Sequence, residues 1–193
     1  MKKLTLLTRF IVLITLLALL FSSCSNSSNN TMPATSPETT APSTAQFDIT
    51  EYKQLVSACA DQLSDGAIAL SNVVKYEYNY WKSINNLGGT FKPDQAVTAA
   101  MAWIEENSDY TEDGIKDQHD SIALMYKEII SIDIEGTEAQ IIFEHFDELF
   151  DAYIGLYNMG MSPSGSLTSF VADYNTYTNV VKSSKEKLDI LLA

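Results

Sequence analysis

Two histidines, two cysteines, 25 acidic side chains and a short aromatic run are the groups in this 193-residue chain from which chemistry could be built. Di-iron sites in helical bundles need Glu-x-x-His on two helices, because glutamate and imidazole one turn apart then reach the same ion. Lys116 stands three residues before His119 and Ile142 three before His145, so neither histidine completes that motif. His119 lies beside Ile115 and Ile122 and reads as a packed or capping histidine, and His145 flanks an acidic face. Glu144, Asp147, Glu148 and Asp151 form an acidic ridge at helical spacing. Calcium is normally wrapped by a loop that supplies backbone oxygens, so the ridge reads as a hydrated face. The acidic stretch 109–120 lacks the EF-hand order of ligands and glycine. Met159 and Met161 have Met-x-Met spacing, but two thioethers are too few for a soft-metal site and read as packing. No metal or cofactor is expected. Neither a Gly-x-Ser-x-Gly nucleophile turn nor a Gly-rich phosphate loop occurs; Gly88-Gly89 is not followed by the Gly-Lys-Ser or Gly-Lys-Thr that such a loop needs.

The aromatic run offers a binding site. Tyr76, Tyr80 and Trp81 cannot all face one core from one helix, so at least one reaches the surface or a groove. Rings placed there could stack on a sugar or on a partner protein, which makes these three the candidate ligand-binding residues. Glu77, Glu105, Glu106 and Asp109 are the carboxylates of an alternative reading, an envelope enzyme acting on cell-wall material through paired acids. Their spacing singles out no pair.

The N-terminus supplies an address. Lys2, Lys3 and Arg9 precede an apolar stretch from Phe10 to Phe21, and Ser22 and Ser23 stand before Cys24, the layout of a secretory signal. The stretch falls short of the about 20 apolar residues that a membrane-spanning helix needs. Phe21-Ser22-Ser23-Cys24 resembles the lipobox of bacterial lipoproteins, with phenylalanine where leucine is commonest and serine in place of the more frequent glycine or alanine. The resemblance covers residues 1–24 and implies cleavage before Cys24, a diacylglyceryl group on that cysteine, fatty acids such as palmitate, and residence on the extracytoplasmic face of the cell membrane. With about 0.8 kcal/mol for each buried methylene, two or more chains hold a protein where one binds reversibly. Ser25 follows the cysteine, so the aspartate that retains some lipoproteins at an inner membrane is absent. Removing residues 1–23 takes three positive charges from a net charge of −13 and leaves −16. That balance excludes nucleic acid as a partner, since phosphate recognition needs clustered Lys and Arg. It also leaves covalent lipid as the source of membrane attachment.

Residues 24–48 hold the lipidated cysteine and a tether rich in Ser, Thr, Asn and Pro, read as disordered because so little apolar surface cannot offset the entropy of ordering. Roughly 24 such residues span about 27 Å as a flexible coil. With Cys24 acylated, Cys59 has no partner for a disulfide and reads as a buried apolar residue.

Residues 49–193 have helical periodicity almost throughout. Tyr52, Val56, Cys59, Leu63, Ala67, Leu70, Val74, Tyr78 and Trp81 set a stripe along a helix from about Thr50 to Asn85, ended by Gly88 and Gly89. The alternating aromatics of 76–81, after β-branched Val73 and Val74, imitate a strand; the three-and-four spacing on both sides favours helix. A second helix starts near Pro93 and breaks near 109–114, where Asp109 and Glu112 have capping-box spacing. Ile115, Ile122, Tyr126 and Ile129 carry the stripe beyond the break, and Gly136 separates the next helix, with Ile142, Phe146, Leu149, Tyr153 and Leu156. Gly160, Pro163 and Gly165 mark a loop. From Leu167 to Leu191 a seven-residue repeat fails only at Ser184. The expectation is an all-α antiparallel bundle of four long helices, the second broken, or five if the break is a full turn. Tether, helical body and missing catalytic motifs point to a lipid-anchored, non-enzymatic module that binds an envelope protein or a small ligand.

Overall fold

The computed structural model describes residues 47–193, so residues 1–46, with Cys24 and all but the last two residues of the stretch read as a tether, lie outside the described residues. Those last two belong to the folded part, with the Phe47 ring 5.7 Å from that of Tyr52 between centroids. The described part is all α: α1 (Ile49–Asn86), α2 (Pro93–Asn107), α3 (Glu112–Ile130), α4 (Thr137–Met161) and α5 (Leu167–Leu192), packed against one another without strands. No helix among the described residues is long and apolar enough to cross a membrane.

Local chemistry fixes the helix ends. The Asp48 carboxylate accepts hydrogen bonds from the backbone N–H groups of Thr50 and Glu51, satisfying donors that the first turn of α1 leaves free. At the other end Gly88 takes a left-handed φ of 70°, and the Gly89 N–H donates to the Ile84 carbonyl at 2.9 Å. Together with the Gly88 N–H on Asn85, this is the six-to-one and five-to-two pairing that closes a helix. The 76–81 stretch is helical, because Val73, Val74 and Trp81 are buried on the stripe that continues through it.

The break in the second helix is complete. Its restart differs from the expected Asp109–Glu112 box, since Thr111 is the N-cap and accepts from the Gly114 N–H at 3.0 Å. The Ser108 hydroxyl, which accepts from the Tyr110 N–H, extends the closure of α2 and moves the start of α3 two residues on. Gly160 also differs from its expected loop role. It lies in the last turn of α4, buried, where an added Cβ would meet Val73 Cγ1 at 3.3 Å.

Contacts between helices give their directions. Lys53 pairs with Glu138 and Gly160 packs on Val73, so α1 and α4 run the same way. The Ser184 hydroxyl donates to Glu148, Lys185 pairs with Asp61, and Phe170 meets Trp81, so α5 runs opposite to both. On the other side α3 also runs opposite to α4, with His119 on Tyr157 and Tyr126 on Phe150. The up-down-up-down order of α1, α3, α4 and α5 encloses the main core, built on Leu63, Leu70, Ile104 of α2, Ile122, Phe146 and Leu156. Ser184, the one polar residue in the α5 repeat, is buried with the rest, and its hydrogen bond to Glu148 at 3.1 Å removes the cost of placing a hydroxyl there.

Close approach of α4 and α5 depends on Gly155, where a Cβ would fall 2.5 Å from the Tyr177 ring. Alanine normally improves a helix interior by about 1 kcal/mol over glycine. Here Gly155→Ala should instead destabilise by about 1–3 kcal/mol through overpacking. Urea unfolding followed by circular dichroism measures this, and a more stable variant would show that Tyr177 yields freely.

Candidate functional site

Along α1 the apolar stripe carries one acid. Val73, Glu77 and Trp81 succeed one another at four-residue steps and all are buried. Glu77 has 0% of its surface exposed, and neither carboxylate oxygen has a hydrogen-bond partner. Burial pushes its carboxyl up to about 9, so at neutral pH it carries its proton. An unpartnered buried carboxyl costs free energy that no neighbour returns, which sets it apart from the other acids among the described residues.

Glu77 lies at the divide between two apolar regions. Val73 belongs to the main core, whereas Val74 and Trp81, three residues before and four after Glu77, belong to a second cluster with Phe170. Tyr78, Phe91, Met159, Leu167 and Tyr174 pack around that cluster. Trp81 stacks on Phe91 with ring centroids 3.8 Å apart and 7° between planes, and meets Phe170 at 5.7 Å and 59°. Phe91 stands in the connection between α1 and α2, outside any helix.

The candidate aromatic residues divide between interior and surface. Trp81 is buried at 7% exposure and forms part of the cluster. Tyr76 is half-buried and stacks at 5.4 Å on Trp103 of α2, which is 39% exposed; Tyr80 is half-buried. Tyr78, read as part of the inward stripe, is half-buried and lies under Lys82, whose ammonium is 5.8 Å from its ring centroid. The inward position is taken by Glu77. Choosing the aromatic over the acid by residue type moved the stripe by one position, although the steps from Val73 and to Trp81 both point to Glu77.

The four candidate carboxylates do not share one environment. Glu77 is enclosed, whereas Glu105, Glu106 and Asp109 are exposed. In the acidic ridge Asp147 accepts from the Tyr126 hydroxyl at 2.5 Å, and Glu148 is bound by His145 and Ser184. Half of the ridge is thus tied to neighbours, and the His145 hydrogen bond is the main cause that holds the Glu148 carboxyl below its usual range. No group of three or more His, Cys, Asp or Glu fit to hold a metal occurs among the described residues. Met159 packs with the aromatic cluster and Met161 with the main core, so the two thioethers serve different regions. His119 stacks on Tyr157 at 3.6 Å and 8°, with Nδ1 buried and unpartnered; burial lowers its pKa. Cys59 is fully buried and its thiol is pushed up to about 12, which removes thiolate reactivity at neutral pH. A surface groove of about 330 Å³ runs between α1, α4 and α5, lined by Ala67, Ile68, Leu156 and Val181, and contains none of the candidate residues.

The fold and this site define a five-helix all-α module with an aromatic end and an enclosed carboxyl. No protein-family model matches the chain, and neither a curated protein nor a solved structure shows significant similarity to it.

Proposed function

We propose that the protein is a lipid-anchored module of the cell envelope that binds an envelope component, without catalysis, through the aromatic end of its bundle. The lipobox-like order of charge, apolar stretch, small residues and Cys24 supports the anchor. One observation carries the binding reading: Tyr76, Tyr80 and Trp103 bring partly exposed rings to the same stretch of α1 that holds Trp81 and the unpartnered Glu77. Aromatic rings with one free face supply large contact area at little entropic cost. Trp81 lies 32 residues beyond the first residue of α1, about 48 Å along the helix axis.

Two measurements test the two halves. Mass spectrometry of the protein made in its native host should show a chain that starts at an acylated Cys24, and Cys24→Ser should release it from the membrane. An unmodified N-terminus at another residue rejects the anchor. A photoreactive amino acid at position 80 of the full chain should cross-link an envelope component, and Trp103→Ala should lose that product. Equal labelling from position 117 on the exposed face of α3 would show that the aromatic end is not selective.

A further inference from the structure

We propose that the aromatic end is a closed site for a small organic cation, an amine or quaternary ammonium group, with Glu77 as its counter-charge and Trp81 and Phe170 as its walls. The proposal rests on the binding reading above and names the chemistry of its ligand. Two observations carry it. Glu77 is fully enclosed with both oxygens unpartnered, and its α1 neighbours on either side, Val74 and Trp81, belong to the aromatic cluster. Residues four apart on a helix are neighbours on its surface, so the carboxyl and the indole lie on adjoining turns of one buried face. A carboxylate beside aromatic faces is the pairing that recognises ammonium groups, since ring faces attract a desolvated cation and the acid neutralises it.

Among the described residues no cation of the chain itself takes this place. Lys75 and Lys82 on α1 and Lys92 before α2 are exposed, as are Asp94 and Asp173 on the helices that close this end, and Tyr174 of α5 is half-buried. Access has a defined route. Phe91 covers a face of Trp81 from a non-helical connection that begins at Gly88 and Gly89, so its ring can leave the indole without unwinding a helix. A net charge of −13 raises the concentration of cations near the surface.

Charge balance gives the proposal a signature. The enclosed carboxyl carries its proton at neutral pH, so binding exchanges that proton for the cation: the carboxylic acid and an ammonium ion go to an ammonium carboxylate pair, and one proton passes to solvent. A site made of rings alone would release none.

The full chain is titrated with tetramethylammonium and with n-butylammonium, using sodium at equal ionic strength as the reference. Two readouts are followed, fluorescence of the chain's two tryptophans, Trp81 and Trp103, and proton release in weakly buffered solution near neutral pH. At least one of the two cations should give saturable quenching with close to one proton released per cation bound. Glu77→Gln keeps the shape without the charge and should weaken binding about tenfold or more and abolish proton release. Asp94→Asn, which removes an exposed acid, should leave both unchanged. Absence of saturable binding of either probe, or equal binding by Glu77→Gln, overturns the cation proposal. Retained cross-linking from position 80 in that case would leave the broader binding reading standing, and loss of both would remove it as well.

Discussion

Replacing Glu77 by glutamine should stabilise the bundle at neutral pH by about 3 kcal/mol and remove a fall in stability that the native protein shows as pH rises. The sign follows from the carboxyl's position. Its folded pKa is raised from 4.5 to about 9, by burial, so the folded chain keeps a proton that the unfolded chain releases. Below about pH 4.5 both states are protonated and Glu77 costs nothing beyond its unmet hydrogen bonds. From there to about pH 9 folding must take up a proton, and stability declines by about 1.4 kcal/mol per pH unit before levelling. Glutamine has the same shape and never ionises, so the difference between the two proteins should grow with pH from near zero. Two other groups titrate differently. His119 has a lowered pKa and penalises folding as pH falls through its range, and Glu148 has a lowered one and loses its contribution only in acid. Both are present in the variant and cancel in the comparison. Urea unfolding at several pH values measures the difference; a constant gap between pH 5 and pH 8 would show that Glu77 is hydrated in the folded protein.

Most of the fold was legible because it depends on periodicity, which a helix converts directly into a buried face. Ile142, Phe146, Leu149, Tyr153 and Leu156 recur at three and four in the sequence, and all five are buried on α4. Breaks were legible where glycine needs a left-handed backbone, as at Gly88 and Gly136. Gly160 shows the limit of that rule. A glycine also serves where two helices touch, and one chain position cannot reveal the Val73 side chain that lies against it. The cap of α3 was misplaced for a related reason, because which of several hydroxyls and carboxylates caps a helix depends on where the preceding one ends. At the site, the aromatic run on α1 was visible, but its cluster was not. Phe91 and Phe170 lie 10 and 89 residues from Trp81 and meet it only through the bundle's topology. Glu77 stood among four candidate carboxylates, and its four-residue steps from Val73 and to Trp81 place it on the buried stripe, but its lack of partners is a property of the whole packed structure.

The second large effect is expected at Trp81, where alanine should cost about 3–5 kcal/mol, the range for removing a buried aromatic side chain. Tyr80→Ala should cost about 1 kcal/mol or less. The contrast is physical. Trp81 is 7% exposed and joins three parts of the chain: its own helix, the α1–α2 connection through Phe91, and the first turns of α5 through Phe170. Without the indole, Phe91 loses its stacking partner and Phe170, at the N-terminal end of α5, faces a cavity. Loss should therefore be largest at this end. Amide exchange around 167–170 should accelerate more than at Phe146 in the main core, because local opening needs less than global unfolding. A Trp81→Ala protein within about 1 kcal/mol of the native one would show that the aromatic cluster does not hold α5 to α1. If the large loss is observed, ligand binding by Trp81 has to be read from Trp81→Phe, which keeps a ring against Phe91, since an unfolded end would lose a ligand whatever the indole contributes to it.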